Sequence, residues 1–215
     1  MNVDESLRWI LVAGLVTILP VAIYYRLRSQ ASGERLNRRP EGWFFLLTIR
    51  PIGLVYALAV MAFSIDPSWM SWCQFRIPAL LRWCGVPFFF VALALLVGVF
   101  RTLGDNLTDT VVTRQQHELI TRGPYRFMRH PLYTGTLLSA IGVGLITANG
   151  LVASSGIIAF GLLLLRSRKE ERFLVERFGE RYVNYRNRTA AIFPSLGQFR
   201  VDSKRVDDFD SRYTR

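Results

Sequence analysis

The chain has 215 residues, 51% of them hydrophobic, yet it carries 27 Lys+Arg against 16 Asp+Glu, a net charge of +11. It is too apolar for a disordered polycation. The apolar residues form long blocks with the basic residues between them, whereas a basic nucleic-acid binder mixes the two along amphipathic elements. Nucleic acid is therefore not an expected partner, and the pattern reads as an all-α, polytopic membrane protein.

About five transmembrane helices are expected, since roughly 18 or more apolar residues cross ~30 Å of hydrocarbon. The first runs from Leu7 to Tyr25, with Arg8 at its end and Pro20 expected to kink it. The second runs from Trp43 to Ile65, interrupted by Arg50-Pro51, and the third from about Ala79 to Leu103. The fourth, from about Leu132 to Ala148, is rich in Gly, Ser and Thr, and the fifth, from Leu151 to Leu165, is short. Asn149-Gly150 is a turn signal, so the last two spans form an antiparallel hairpin.

With this order, 23 of the 27 basic residues fall on one side. The other side holds Arg8, Arg76 and Arg82, and Arg50 lies within a span. The positive-inside bias puts the N-terminus outside and the C-terminus in the cytoplasm, in the plasma (inner) membrane if the cell is bacterial. The basic loop 26–41 is expected to lie on anionic lipid headgroups. Residues 1–100 form three transmembrane helices, and 196–215 a mobile polar tail. No cleavable signal peptide is expected, because no basic segment precedes the first apolar block. Whether Cys73 and Cys84 pair is left open, although unpaired cysteines are commoner in such proteins. There is no GxGxxG, Walker loop, HExxH or CxxC, so no metal site is expected. The oligomeric state is not readable.

Two segments on the basic side carry chemistry. The first is 116–135. Gly123-Pro124 is a turn, His130 precedes a proline and is biased away from helix, and Pro131 suits the first turn of the fourth span. Arg129 and His130 therefore stand at a helix N-terminus, where free N–H groups and the dipole favour an anion. Tyr133 and Gly135 follow within a turn, and Gly135 leaves room for close approach to the backbone. The plainer reading is an interfacial anchor of Arg and Tyr. The second segment, 166–185, continues the fifth span as a helix. Leu174, Phe178, Tyr182 and Tyr185 form one apolar stripe, which Gly179 interrupts. Arg166 and Glu170 share a face at i, i+4, with Glu171 beside them; the plainer reading is a charged helix surface. Since the fourth and fifth spans form one hairpin, the Arg129-His130 mouth and the Arg166–Glu170 face are expected to be neighbours.

At these residues the sequence resembles the membrane methyltransferase superfamily that includes isoprenylcysteine carboxyl methyltransferases and phospholipid N-methyltransferases. The matching pieces are His117-x-Leu119-Ile120, Gly123-Pro124-Tyr125-Arg126, Arg129-His130-Pro131-x-Tyr133-x-Gly135, and Arg166 with Glu170-Glu171. Phe178-Gly179-x-x-Tyr182-x-x-Tyr185 and Pro194 complete the set. The resemblance covers roughly residues 101–195, which it marks as a cofactor-binding core of two transmembrane helices and a C-terminal cytosolic amphipathic helix. It implies S-adenosylmethionine held by His117, Leu119, Ile120, Tyr125, His130, Pro131, Tyr133 and Glu170, with Arg129, Gly135 and Glu171 beside them. Glu170 suits the cofactor's amino group, Arg129 or the helix mouth its carboxylate, and Tyr125 or Tyr133 its sulfonium.

Arg166 is implied to face the acceptor. A carboxylate acceptor needs no base, whereas a thiol or amine needs a proton acceptor, for which His130 is nearest. The first three spans are expected to serve the acceptor side, with Arg50 either lining that pocket or snorkelling to the interface. The implied function is an integral-membrane methyltransferase acting at the cytoplasmic leaflet on a lipophilic acceptor, an isoprenylcysteine-type carboxylate or a phospholipid amine. The alternatives are an NADPH-dependent reductase of the sterol-reductase type, a small-thiol S-methyltransferase, or a scaffold without turnover.

Overall fold

The computed structural model describes residues 3–31, 43–104 and 119–194. His117, most of the basic loop and the polar tail lie outside the described residues. The chain is all-helical, as expected, with no strand among the described residues. Its helices are α1 (Val3–Ala31), α2 (Trp43–Ile65), α3 (Ala79–Leu103), α4 (Pro131–Thr147), α5 (Gly150–Phe178) and α6 (Glu180–Arg188). Both α1 and α2 continue through their internal prolines, Pro20 and Pro51.

α1, α2, α3 and α5 are long and apolar enough to cross a membrane. The molecule is an integral membrane protein whose helices turn many large apolar side chains outward, among them Leu19, Ile23, Leu54, Leu58, Phe90 and Ile157. At 17 residues α4 is shorter, about 25 Å at the usual rise. It is enclosed by α1, α3 and α5. Its backbone meets theirs closely because small residues stand at the crossings. A side chain on Gly142 would meet the backbone of Phe89 at 2.6 Å, and one on Gly156 of α5 would meet the Cβ of Ala140 at 2.7 Å. Lipid tails are as apolar as leucine, so close van der Waals contact of this kind holds membrane helices together. That accounts for the small residues of the fourth span.

A buried apolar core lies toward the hairpin end of the bundle. Leu7, Leu11, Phe63, Phe89, Ile146 and Val152 pack there as one buried cluster. Arg8 donates through Nε to the Ser64 carbonyl at 2.8 Å and also to Ile65, where α2 ends. Arg82 donates to the Ile146 carbonyl at 3.1 and 2.9 Å and pairs with Asp4. Three of the four basic residues outside the large charge group thus cluster near one end, and two of them satisfy carbonyls that a helix C-terminus leaves open. Trp9, Trp69, Trp72 and Trp83 are exposed at the same end, as in the aromatic belt of a membrane interface. Cys73 and Cys84 are both free thiols.

Asn149 fixes the hairpin. It is fully buried, accepts from Leu151 N at 3.1 Å and Val152 N at 3.2 Å as the cap of α5, and donates to the Met70 carbonyl at 3.0 Å. Asn149→Ala removes the cap and strands the Met70 carbonyl, so we expect a loss of about 1–3 kcal/mol, read as a lowered midpoint of thermal unfolding in detergent.

The apolar part of α5 ends at Leu165. From Arg166 the helix is charged at most positions and extends about 20 Å further. It stops at Gly179, whose φ of +54° an L side chain rarely adopts. The interruption expected at this glycine is thus a helix break, and α6 turns back toward the mouth of α4.

Candidate functional site

The charged end of the bundle is closed by a clasp of three segments: the loop before α4, the charged part of α5, and the chain that follows α6. The loop holds a 3-10 turn over Gly123–Arg126, with Gly123 at φ +60° against Thr102. Residues 128–130 pair with the chain leaving α6 through an isolated parallel bridge between Met128 and Ala190. Arg129 N donates to the Ala190 carbonyl at 2.8 Å, His130 N to Ala191 at 2.9 Å, and the Thr134 hydroxyl to Ile192 at 2.6 Å. Pro131 then opens α4, and the His130 carbonyl accepts from Tyr133 N at 3.0 Å and Thr134 N at 3.2 Å.

The Arg129-His130 mouth and the acidic pair meet directly. Arg129 Nε donates to Glu171 Oε1 at 2.9 Å, and the same oxygen lies 3.2 Å from His130 Nε2. Arg129 Nη1 also donates to the Arg186 carbonyl at 2.8 Å and to that of Thr189. One guanidinium therefore ties α5, α6 and the chain beyond α6 to the mouth of α4. The Tyr133 hydroxyl donates to Glu170 Oε2 at 2.5 Å, and its ring stacks on His130 with centroids 4.9 Å apart. Arg166 and Glu170, the i, i+4 pair, both act electrostatically on that hydroxyl.

Two tyrosines outside the expected set complete the clasp. Tyr185 donates to the Tyr125 carbonyl at 2.6 Å and so holds the 3-10 turn against α6. Tyr182 is fully buried, and its hydroxyl has no hydrogen-bond partner among the described residues. Burial raises the pKa of both, and that of Tyr125, where the Glu170 charge adds to the effect. All three therefore stay protonated, and Tyr185 donates its proton to the Tyr125 carbonyl. Glu171 is shifted the other way: the His130 hydrogen bond, followed by the Arg129 charge and hydrogen bond, holds its carboxyl below the usual carboxylate value. Tyr182 and Tyr185 read in sequence as an apolar stripe. The signal for a second role was their place in the Phe178-Gly179-x-x-Tyr182-x-x-Tyr185 motif.

The other expected site residues fall as follows. Leu119 and Ile120 are half-buried where the described chain resumes before the clasp. Gly135 is buried, and the space beside its Cα is taken by Leu96 of α3, whose Cδ2 would lie 2.7 Å from an added Cβ. Arg50 is exposed on α2 and makes none of the clasp contacts described above. His117 lies outside the described residues.

Comparison with known proteins places this geometry. A sequence model of the isoprenylcysteine carboxyl methyltransferase (ICMT) family matches residues 85–176, which run from α3 through the acidic pair. Protein-S-isoprenylcysteine O-methyltransferase B of Arabidopsis thaliana is 31% identical over 96 residues, 43% of this chain and 49% of its own. The cobalt-zinc-cadmium resistance protein CzcN of Cupriavidus metallidurans is 40% identical over 91 residues, 42% of each chain. The nickel-cobalt-cadmium resistance protein NccN of Alcaligenes xylosoxydans xylosoxydans is 36% identical over 90 residues, again 42% of each. The match spans somewhat less than half the length of these relatives. Residues 85–176 are thus similar to the isoprenylcysteine carboxyl methyltransferase family.

Proposed function

We propose that the protein is an integral-membrane, S-adenosylmethionine-dependent methyltransferase acting on a lipophilic acceptor at the cytoplasmic leaflet. The observation that carries this reading is the clasp, in which Tyr133, Arg129 and His130 meet Glu170 and Glu171 inside the segment matched by the family.

The residues present fit the cofactor's chemistry. Its sulfonium and ammonium are cations, and the clasp offers two carboxylates among the rings of His130, Tyr133 and Tyr125. The buried Tyr182 hydroxyl, with no partner among the described residues, is a donor available to a ligand. Glu170 is the carboxylate for the ammonium, since Glu171 is already engaged by Arg129 and His130. The cofactor supplies an activated methyl group.

This chain's own groups then position the acceptor and exclude water. Alignment of acceptor and methyl is the main source of acceleration in such a displacement. Because His130 Nε2 is engaged with Glu171, the arrangement favours an acceptor that brings its own negative charge. We therefore assign a carboxylate acceptor, oriented by Arg166. The name of the Arabidopsis thaliana relative supports methyl transfer to an isoprenylcysteine-type carboxylate rather than to a phospholipid amine, and nothing in the comparisons favours NADPH reduction. On this reading residues 1–100 serve the acceptor side and 101–195 the cofactor, with the charged end of the bundle in the cytoplasm.

Calorimetric titration of the detergent-purified chain with S-adenosylhomocysteine tests this, with NADPH as control. Saturable micromolar binding of the first alone is expected. No binding by folded protein, or binding of NADPH instead, overturns the proposal.

A further inference from the structure

α6 sets Tyr182 against the clasp with 1% of its surface exposed, and its hydroxyl has no hydrogen-bond partner among the described residues. A buried hydroxyl without a partner costs stability, and folded proteins leave few of them. The tyrosines around it are engaged: Tyr185 donates to the Tyr125 carbonyl at 2.6 Å, and Tyr133 donates to Glu170. Tyr182 also lies beyond residues 85–176, the stretch that the family model matches. It comes to the clasp because Gly179, at φ +54°, ends α5 and lets α6 turn back.

The hydroxyl stands among charges that do not take its proton. After burial, the Glu171 charge acts on it most strongly, followed by those of Arg129 and Glu170. Glu171 accepts instead from Arg129 and His130, both on Oε1, which leaves Oε2 as an acceptor.

We propose that the Tyr182 hydroxyl is a ligand-binding donor, that it donates to a ribose hydroxyl of the nucleoside bound in the clasp, and that Glu171 Oε2 accepts from the same ribose hydroxyl. The group that meets Tyr182 is an acceptor, since a phenol whose pKa is raised by burial keeps its proton. A ligand ammonium offers no lone pair. A ligand carboxylate would meet two carboxylates against one guanidinium, all acting on the Tyr182 hydroxyl, and like charges repel. A hydroxyl is neutral, and it accepts from a donor while donating to a carboxylate. In an S-adenosyl cofactor the ribose carries two hydroxyls and adjoins the methionine arm, whose ammonium is assigned to Glu170. Glu171 is the next residue along α5, whereas the adenine stands beyond the ribose. The nucleoside identity rests on the methyltransferase reading; the service of this hydroxyl to a ligand and not to the fold does not.

The test is Tyr182→Phe in the detergent-purified full chain, with two readouts. In unliganded protein, loss of a hydroxyl that has no partner removes a penalty, so the unfolding midpoint should stay unchanged or rise by about 2–4 °C. Titration with S-adenosylhomocysteine should show a Kd raised about three- to tenfold. Tyr185→Phe is the contrast: it strips the Tyr125 carbonyl of its donor and should lower the midpoint. The 2′-deoxy and 3′-deoxy analogues of S-adenosylhomocysteine assign the ligand group. One of them should bind wild type about three- to tenfold more weakly than the parent. That penalty should shrink in Tyr182→Phe, because the two changes remove one shared hydrogen bond. A lowered midpoint for unliganded Tyr182→Phe, or its failure to fold, makes the hydroxyl a structural group and overturns the proposal. An unchanged Kd overturns it as well, and equal deoxy penalties in the two proteins overturn the ribose assignment. A wild type that binds no S-adenosylhomocysteine removes the methyltransferase reading, while the midpoint comparison still decides whether the hydroxyl serves the fold, so the two fail separately.

Discussion

Glu170→Gln is expected to weaken S-adenosylhomocysteine binding by about 1.5–3 kcal/mol, roughly ten- to hundredfold in Kd. The substitution preserves size and can still accept from the Tyr133 hydroxyl, which donates to Glu170 in the wild type. It removes the charge that a ligand ammonium would meet, and a charge-assisted hydrogen bond is about twice as strong as a neutral one. Calorimetry on both proteins reads the effect, and equal affinities would remove Glu170 from the cofactor site. Arg166→Ala is the counterpart. On the acceptor assignment it should lower turnover while leaving cofactor affinity within about twofold of wild type, since it removes no cofactor contact.

Glu171→Ala should instead act on the clasp itself. Glu171 takes hydrogen bonds from Arg129 and His130, and the Arg129 and Glu171 side chains are 14% and 22% exposed. Removing one partner of a fully buried pair is strongly destabilising. Partial exposure screens this one, so about 1–2 kcal/mol is expected, read as a lowered unfolding midpoint. The same pair predicts a pH dependence. The Glu171 carboxyl lies below its ordinary value of 4.5 in the folded protein, so the folded state binds this proton less readily than the unfolded one. Its contribution is complete above that ordinary value and is lost as the pH falls through the lower folded value. Wild type should lose stability in this acid range more steeply than Glu171→Ala. Parallel unfolding curves for the two proteins between neutral and acid pH would contradict the role given to the pair.

The helices were legible in sequence because hydrophobic length and punctuation are local properties. α2 and α3 have the ends that Trp43, Ile65, Ala79 and Leu103 suggested, and Asn149-Gly150 makes the expected turn. The adjacency of Arg129-His130 to the acidic pair was also legible, because a tight hairpin leaves its two open ends side by side. Which acid takes which partner was not. Glu170 goes to Tyr133 and Glu171 to Arg129 and His130, a choice made by the rotation of α5 about its axis. One residue corresponds to about 100° of that rotation, and no local pattern sets it. Gly135 shows the same limit: a glycine near a site signals close approach, but only the packing of α3 identifies the approaching group as Leu96.

By itself the sequence determined the membrane class, the placement of the helices and the end of the bundle where Arg129, His130 and the acidic pair gather. Those follow from the cost of burying charge in hydrocarbon and the length needed to cross it. Tertiary structure decided the rest. The chain after α6 returns to pair with residues 128–130, Tyr182 is buried beside the clasp, and an apolar cavity forms among α1, α2, α3 and α4. Each of these depends on contacts between residues far apart in the chain, whose geometry is set by how whole helices pack and not by the order of residues within any one of them.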